Sequence, residues 1–424
     1  MRDAIIFDDG LGKLGSLTDL RAAFDIRTGA WTTAWRLRRM LDLNILGFIT
    51  PASLAAITNE YHLYGHQLAR GPSNLPALPP GTLLINGRCP LPPEEVKALE
   101  PGQGLVEKLT GHVIAARFGA SGDYAEFFRT YSACVRSVIE LPRRVLISRP
   151  WHVRTFRDQA LTVDLLELAA GGENDTIKGV TIVGDAPVLI RDDLGARVYP
   201  GVVIDAENGP VVIDEHATVR PGAVLIGPVY VGPHATVLDR ALIKANSSIG
   251  PWCKVAGEVG GTIFQGYANK SHDGHLGDSY VGQWANLGAG TTNSNLLNTY
   301  AEVAMRASPG EPLEKTGEVF MGCIIGDHVK TAICTRINTG ATLHTGAMVA
   351  TSAAAGGNIP HFAWCTDDHP PGSKTFRLEK FVDVARAVMQ RRKTTPSLAY
   401  LARVEEIYSE HAGTEEGDAE KKRG

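Results

Sequence analysis

The sequence predicts an α/β domain followed by a left-handed parallel β-helix of hexapeptide repeats and C-terminal helices, and three observations carry that fold class. Aliphatic residues stand six apart at Ile213, Val219, Leu225, Val231, Val237, Ile243, Ile249 and Val255. Small or polar turn residues follow each of them, often with Gly or Pro, as in VRPGAV, VGPHAT and IGPWCK. The chain also holds 46 glycines against 7% aromatic residues, a mix that suits tight repetitive β structure better than a helix bundle.

A spacing of six does not match the 3.6-residue period of a helix, and a simple hairpin protein would not hold one phase for so many steps. A solenoid does, with each unit forming one flat face and corner of a triangular coil and its aliphatic residue stacking inward on the coils above and below. The phase breaks near 256–275, resumes at Val281 and Leu287, breaks near 296–318, and returns at Ile325, Thr331, Ile337, Leu343 and Val349. Two readings of the breaks stand side by side: surface insertions, or a site built where the repeat is interrupted.

Taken in order, residues 1–149 alternate strand-like runs (Ala4–Phe7, Leu83–Ile85, Val145–Ile147) with a helical pattern over Thr32–Leu43, which reads as α/β. Pro-rich loops at Pro76–Pro80 and Pro90–Pro93 separate them. Residues 150–172 carry apolar residues at helical spacing and are expected to form a helical linker, ended by the polar stretch Gly171–Asp175. The β-helix is expected over 173–360. Residues 361–424 are expected to hold a helical cap, with FRLEKFVDVARAVMQRR as its first helix, and a charged, disordered tail from Gly413.

The 424 residues are 44% hydrophobic, enough for more than one core, and the net charge of −4 gives no overall positive field for nucleic acid. A small-molecule partner is expected. The six cysteines form no Cys-x-x-Cys pair, the uncharged run after Asp3 is too short for a signal sequence, and no apolar stretch reaches the roughly 20 residues needed to span a bilayer. A reduced, cytoplasmic setting without a membrane partner is the expectation.

The chemistry-bearing residues concentrate in EVGGTIFQGYANKSHDGHLGDSYVGQWANLGAGTTNSNL, residues 258–296. His272, then Gly277-Asp278, the turn Asn286-Leu287-Gly288-Ala289-Gly290-Thr291, Asn295 and the earlier Glu258 resemble, without a gap, the acetyltransferase domain of the bifunctional glucosamine-1-phosphate N-acetyltransferase and N-acetylglucosamine-1-phosphate uridyltransferase family. The chemistry suits these residue types. An amine attacking a thioester must lose a proton, which a neutral imidazole can accept, and the developing oxyanion can be met by a backbone N–H held in a glycine-rich turn.

The resemblance implies His272 as base, Ala289 as the oxyanion donor and Glu258 as a polarising group. It further implies Asn286 and Asn295 as contacts to the acceptor, acetyl-CoA as co-substrate, and a homotrimer. His275 stands where the family has a tyrosine, and Lys270 is a further candidate contact. Two departures bear on the substrate: Gly260 replaces a lysine and Leu296 a tyrosine of the family's phosphate-binding set. Lys244, Lys254, Lys270 and Lys330 are the candidates to replace that clamp.

The N-terminal segment offers a strand, Ile5-Ile6-Phe7, followed by Asp8-Asp9-Gly10-Leu11-Gly12-Lys13, with Arg21, Arg27 and later Leu84-Ile85-Asn86-Gly87-Arg88. Together with Pro150-Trp151 this looks like a divergent branch of the sugar nucleotidyltransferases. That implies Lys13, Arg21, Arg27 and Asn86 as nucleotide contacts, with Asp8 and Asp9 as candidate ligands for Mg2+, although Arg88 stands where the usual enzymes place a metal-binding aspartate. The implied function is acetyl-CoA-dependent N-acetylation of an amino-sugar phosphate, coupled to nucleotidyl transfer from a nucleoside triphosphate onto a sugar-1-phosphate. The rival is a non-catalytic sugar-nucleotide-binding or scaffold protein with decayed sites.

Overall fold

The computed structural model describes residues 1–62, 69–70, 79–119, 135–170 and 177–412. The polar stretch at Gly171–Asp175, Cys134 and the tail from Gly413 lie outside them. The chain forms two compact units, one of residues 1–14, 20–26 and 31–149 and the other of residues 15–19, 27–30 and 150–424.

The first unit is a mixed seven-stranded sheet. In spatial order its strands are Ala69–Arg70, Leu43–Ile49, Arg2–Phe7, Leu83–Asn86, His112–Arg117, Gln103–Glu107 and Ser137–Leu141. The first four run parallel, and His112–Arg117 is antiparallel to both of its neighbours. Ile5, Phe7, Ile49, Leu84, Val113 and Phe118 form a core at 0–2% exposure. The strand Arg2–Phe7 has Leu43–Ile49 on one side and Leu83–Asn86 on the other. Asp8 and Asp9 therefore leave the sheet at a point where strand order switches, the place where open α/β sheets bind ligands.

The second unit is a parallel β-helix with C-terminal helices, as the hexapeptide phase predicts. On its widest face the inward residues align in register as Ile213, Val231, Ile249, Phe264, Val281, Ile325, Leu343 and Ile359. These are 1% exposed or less, and each such side chain contributes roughly 1.5–3 kcal/mol on burial.

Register explains both breaks in the phase. Val231 and Ile249 are one full coil of 18 residues apart, but Phe264 follows Ile249 after only 15, so the first break is a shortened coil. From Val281 to Ile325 the step is 44 residues, and the surplus forms an insertion holding the antiparallel pair Ala304–Met305 and Glu314–Lys315. At one corner the left-handed backbone positions carry large rings in place of glycine: His216, His234, Trp252, Tyr267, Trp284 and His328. Their rings stack coil upon coil, for example His234 on Trp252 at 4.2 Å and Tyr267 on Trp284 at 4.4 Å.

The helix His152–Ala169, expected as a linker, packs within the second unit. Leu161, Leu165 and Ala169 bury against Val212 and Tyr230. Two short segments, 15–19 and 27–30, also belong to the β-helix unit. Ser248 Oγ donates to the Gly29 carbonyl at 2.7 Å, and Thr345 Oγ1 to Asp19 Oδ2 at 2.6 Å. The last strand of the β-helix is Trp364–Thr366, and helices Leu378–Gln390 and Leu398–Ala412 follow. Phe381 packs edge-on against Phe362, and the Tyr400 hydroxyl lies 2.6 Å from His328 Nε2.

Candidate acyl-transfer site

The shortened coil changes what fills the interior. On the second face the inward positions run Val237, Val255, Lys270, so a lysine occupies an aliphatic place in the stack. Lys270 is 1% exposed, and its ammonium donates to the carbonyls of Ala256 at 3.1 Å and His272 at 2.9 Å. Burial, opposed by the nearby Asp273 carboxylate, depresses its pKa to about 8. Lys270 is thus not offered to a ligand, as the sequence reading had it; it braces the His272 loop from inside. On the third face Asn293 replaces an aliphatic residue, accepting from Gly277 N–H at 2.8 Å and donating to Gly277 O at 3.0 Å.

His272 and Ala289 sit at one corner and line an open cleft of about 580 Å3 with Ala256, Asp273, Gly290 and Cys334. The His272 ring is exposed and makes no hydrogen bond among the described residues. The two turns are tied together, because Gly290 N–H donates to Asp273 O at 3.1 Å. Gly288 N–H is taken by Thr331 Oγ1 at 3.0 Å. Between them, the N–H of Ala289, which lines the cleft that the histidine borders, donates to no acceptor among the described residues.

Glu258 and His275 lie on the adjacent face, directly paired across neighbouring coils. Lys244 Nζ donates to Glu258 Oε1 at 2.7 Å, with His275 Nδ1 3.4 Å from the same oxygen. The Lys244 hydrogen bond holds the Glu258 carboxyl below its ordinary range, against a smaller opposing effect of burial. A Cβ at Gly260, where the family has lysine, would meet Lys244 Cβ at 3.3 Å, so Lys244 from the preceding coil covers that position. Asn295 Nδ2 donates to Asp278 Oδ2 at 2.8 Å. Asp278 in turn pairs with Arg157 at 2.8 Å and Arg154 at 3.2 Å, two partners that no sequence motif announced. Asn286 stands apart from His272, in a second cavity with Lys330, Arg391 and Arg392. The single chain therefore divides the motif residues among a corner cleft, the adjoining face and a separate cavity.

In the first unit the proposed metal carboxylates are closed. Arg88 Nε and a terminal nitrogen meet Asp9 Oδ1 and Oδ2 at 2.8 and 2.6 Å, with both side chains fully buried. Leu11 N–H and Asn86 Nδ2 take the other two acceptor positions at 3.0 and 2.8 Å. Asp8 is 6% exposed and accepts from the backbone N–H groups of Gly10 and Ala23 at 3.0 and 2.7 Å. Burial raises its pKa, the two backbone hydrogen bonds opposing. These residues do not fit Mg2+: every lone-pair site of Asp9 is filled, and a guanidinium already supplies the positive charge.

The other expected nucleotide contacts are corrected by burial. Arg21 and Asn86 are 1% and 0% exposed. Arg27 is 8% exposed and belongs to the second unit, where it donates to the Gln265 carbonyl at 3.3 Å. Lys13 alone of the four is exposed. Among the described residues no cluster of three or more His, Cys, Asp or Glu groups could hold a metal, and no helix is long and apolar enough to cross a membrane.

Residues 4–172 match the family model described as sugar nucleotidyl transferase. No curated protein matches the chain. Among solved structures, the chain is similar to a hexapeptide transferase family protein from Anaplasma phagocytophilum, at 14% identity and a TM-score of 0.22 over 54% of this chain and 98% of that one. It is also similar to the acetyltransferase domain of PglB from Neisseria gonorrhoeae, determined in complex with acetyl coenzyme A, at 15% identity and a TM-score of 0.16 over 58% of this chain and 98% of that one. Those TM-scores are too low for a shared superposition, so the β-helix rests on the strand pairing described above.

Proposed function

We propose that the β-helix transfers an acetyl group from acetyl-CoA to the amine of an amino-sugar phosphate, glucosamine-1-phosphate or a relative. The observation that supports it is the pairing of an unengaged imidazole, His272, with an unengaged N–H, Ala289, on one open cleft. In this reading His272 takes the proton from the attacking amine. The Ala289 N–H meets the oxyanion as the thioester carbonyl becomes tetrahedral. Collapse of that intermediate expels the CoA thiolate. Lys270 holds the His272 carbonyl, and the Gly290-to-Asp273 bond keeps the oxyanion turn in step with the histidine loop.

Glu258, His275 and Asn295 would orient the acceptor from the adjoining face, with Lys244 in place of the lysine absent at Gly260. Asn286 belongs to the same site only if a neighbouring subunit brings it there, which is the arrangement a homotrimer with shared sites would give. For the first unit, the match to sugar nucleotidyl transferases favours recognition of a sugar nucleotide. The filled Asp9 site argues for binding over Mg2+-dependent nucleotidyl transfer. The test is to incubate the full chain with acetyl-CoA and a panel of amino-sugar phosphates and look for acetylated product by mass spectrometry. Absence of any acetylated acceptor across the panel would overturn the acyl-transfer reading and favour a binding role for both units.

A further inference from the structure

The second cavity, of about 190 Å3, gathers cations without a counter-ion. Lys330 enters it from the β-helix, and Arg391 and Arg392 enter from the end of helix Leu378–Gln390. No carboxylate lines the cavity, and among the described residues none of the three makes an ion pair. Lys330 Nζ donates to the Trp284 carbonyl at 2.6 Å, which uses one of its three hydrogens. Burial alone pushes its pKa down to about 7. Arg392 donates to Asn269 Oδ1 at 2.8 Å, and burial together with neighbouring Arg391 lowers its pKa.

Cations at a helix C-terminus complement the helix dipole, which accounts for the two arginines. It does not account for Lys330, which lies on a different element and loses hydration there for a single hydrogen bond to a neutral carbonyl. A cluster of this kind is costly unless an anion completes it.

We propose that this cavity binds a phosphate group, held by Lys330 Nζ and the guanidinium groups of Arg391 and Arg392, with the amides of Asn269 and Asn286 as neutral donors. Its volume lies below the ~300–1,000 Å3 typical of sites for drug-sized ligands, which suits a phosphate or the phosphorylated end of a small sugar. Tyr267 and Trp284 line the cavity, but their rings stack on each other at 4.4 Å, which leaves no sandwich for a base. Within one chain the cavity is separate from the His272 cleft, and phosphate binding there does not depend on acyl transfer.

The test is calorimetric titration of the full chain, at constant ionic strength, with inorganic phosphate, with glucosamine-1-phosphate, and with chloride as control. Saturable binding is expected, weakened about tenfold or more in Arg392→Gln and in Lys330→Met. Arg391→Gln, at an exposed position, provides a variant with little risk to folding and is expected to weaken binding in the same direction. His272→Ala is expected to bind phosphate like wild type, which separates this site from the acyl-transfer reading. Tighter binding of the sugar phosphate than of inorganic phosphate, weakened in the three cavity variants, would identify a phosphorylated sugar as occupant, and the reverse order would identify free phosphate. No saturable binding of either, or affinities unchanged in all three cavity variants, would overturn the proposal.

Discussion

Removing the Arg88 guanidinium tests whether this side chain has taken the place of a metal in the first unit. In Arg88→Met, Asp9 keeps Leu11 N–H and Asn86 Nδ2 but loses its two charged donors, at 2.6 and 2.8 Å. Ile147 O and Ser148 Oγ each lose a donor as well, at 3.1 and 3.2 Å. Breaking a buried ion pair from one side costs about 3–5 kcal/mol, because the remaining charge is stranded, a large part of the ~5–15 kcal/mol that holds a domain together. Replacing both partners, Asp9→Asn with Arg88→Met, removes the stranded charge and is expected to recover at least ~2 kcal/mol of that loss. Hydrogen exchange at the amides of Arg2–Phe7 and Leu83–Asn86 reads this unit by itself, which matters in a chain of two units. Faster exchange in the single variant and partial recovery in the double variant are expected, with no protection of either by Mg2+. A single variant within ~1 kcal/mol of wild type, or protection of wild type by Mg2+, would refute the reasoning.

Two further variants probe how the proposed acyl-transfer site is held. Charged Lys270 is destabilising in the fold, since its pKa falls from 10.5 to about 8, equivalent to ~3 kcal/mol below pH 8. The folded lysine sheds its proton first as pH rises, so wild-type stability should rise between pH 8 and 10.5 relative to Lys270→Met; parallel melting curves for the two proteins across that range would contradict the assignment. The same variant should speed hydrogen exchange at residues 271–275, because the anchor of the His272 carbonyl is gone. Gly277→Ala would bring a Cβ to 2.7 Å from both Asn295 Nδ2 and His275 Nε2. It is expected to lower acyl transfer about tenfold or more with melting shifted by only a few degrees, and unchanged turnover would remove those two side chains from the site.

The β-helix was legible because its inward residues repeat every six positions, but the phase alone located only one of two inward positions. The structure adds a small residue two places before each aliphatic one on the second face: Ala217 before Val219, Ala235 before Val237, Cys253 before Val255, Ala285 before Leu287. All four small residues are 1% exposed or less. Ala268-Asn269-Lys270 fits this pattern with lysine in the aliphatic place. That paired pattern marks Lys270 as interior and not as a ligand contact. The first break is also not an insertion, since the coil there is shortened and a six-residue count loses its place.

What no local pattern could reveal is pairing between distant segments. Arg88 and Asp9 are 79 positions apart, and only the adjacency of strands Arg2–Phe7 and Leu83–Asn86 brings them together. Arg21 and Arg27 read as phosphate contacts because arginines near a glycine-rich loop often are; both are instead buried, Arg21 in the first unit and Arg27 in the second. The division of Asn286 from His272 has the same origin. Asn286 is in register with Asn269, three residues before His272, and the short segment between the two positions separates the Lys330 cavity from the corner cleft.

The central claim is that His272 acts as the base for acetyl transfer, and the most direct measurement is thiol release from acetyl-CoA with the best acceptor of the panel, wild type against His272→Ala. Loss of the base should lower the acceptor-dependent rate about a hundredfold or more while leaving the melting temperature unchanged, since the ring makes no hydrogen bond among the described residues. Equal acceptor-dependent rates in the two proteins would contradict the account.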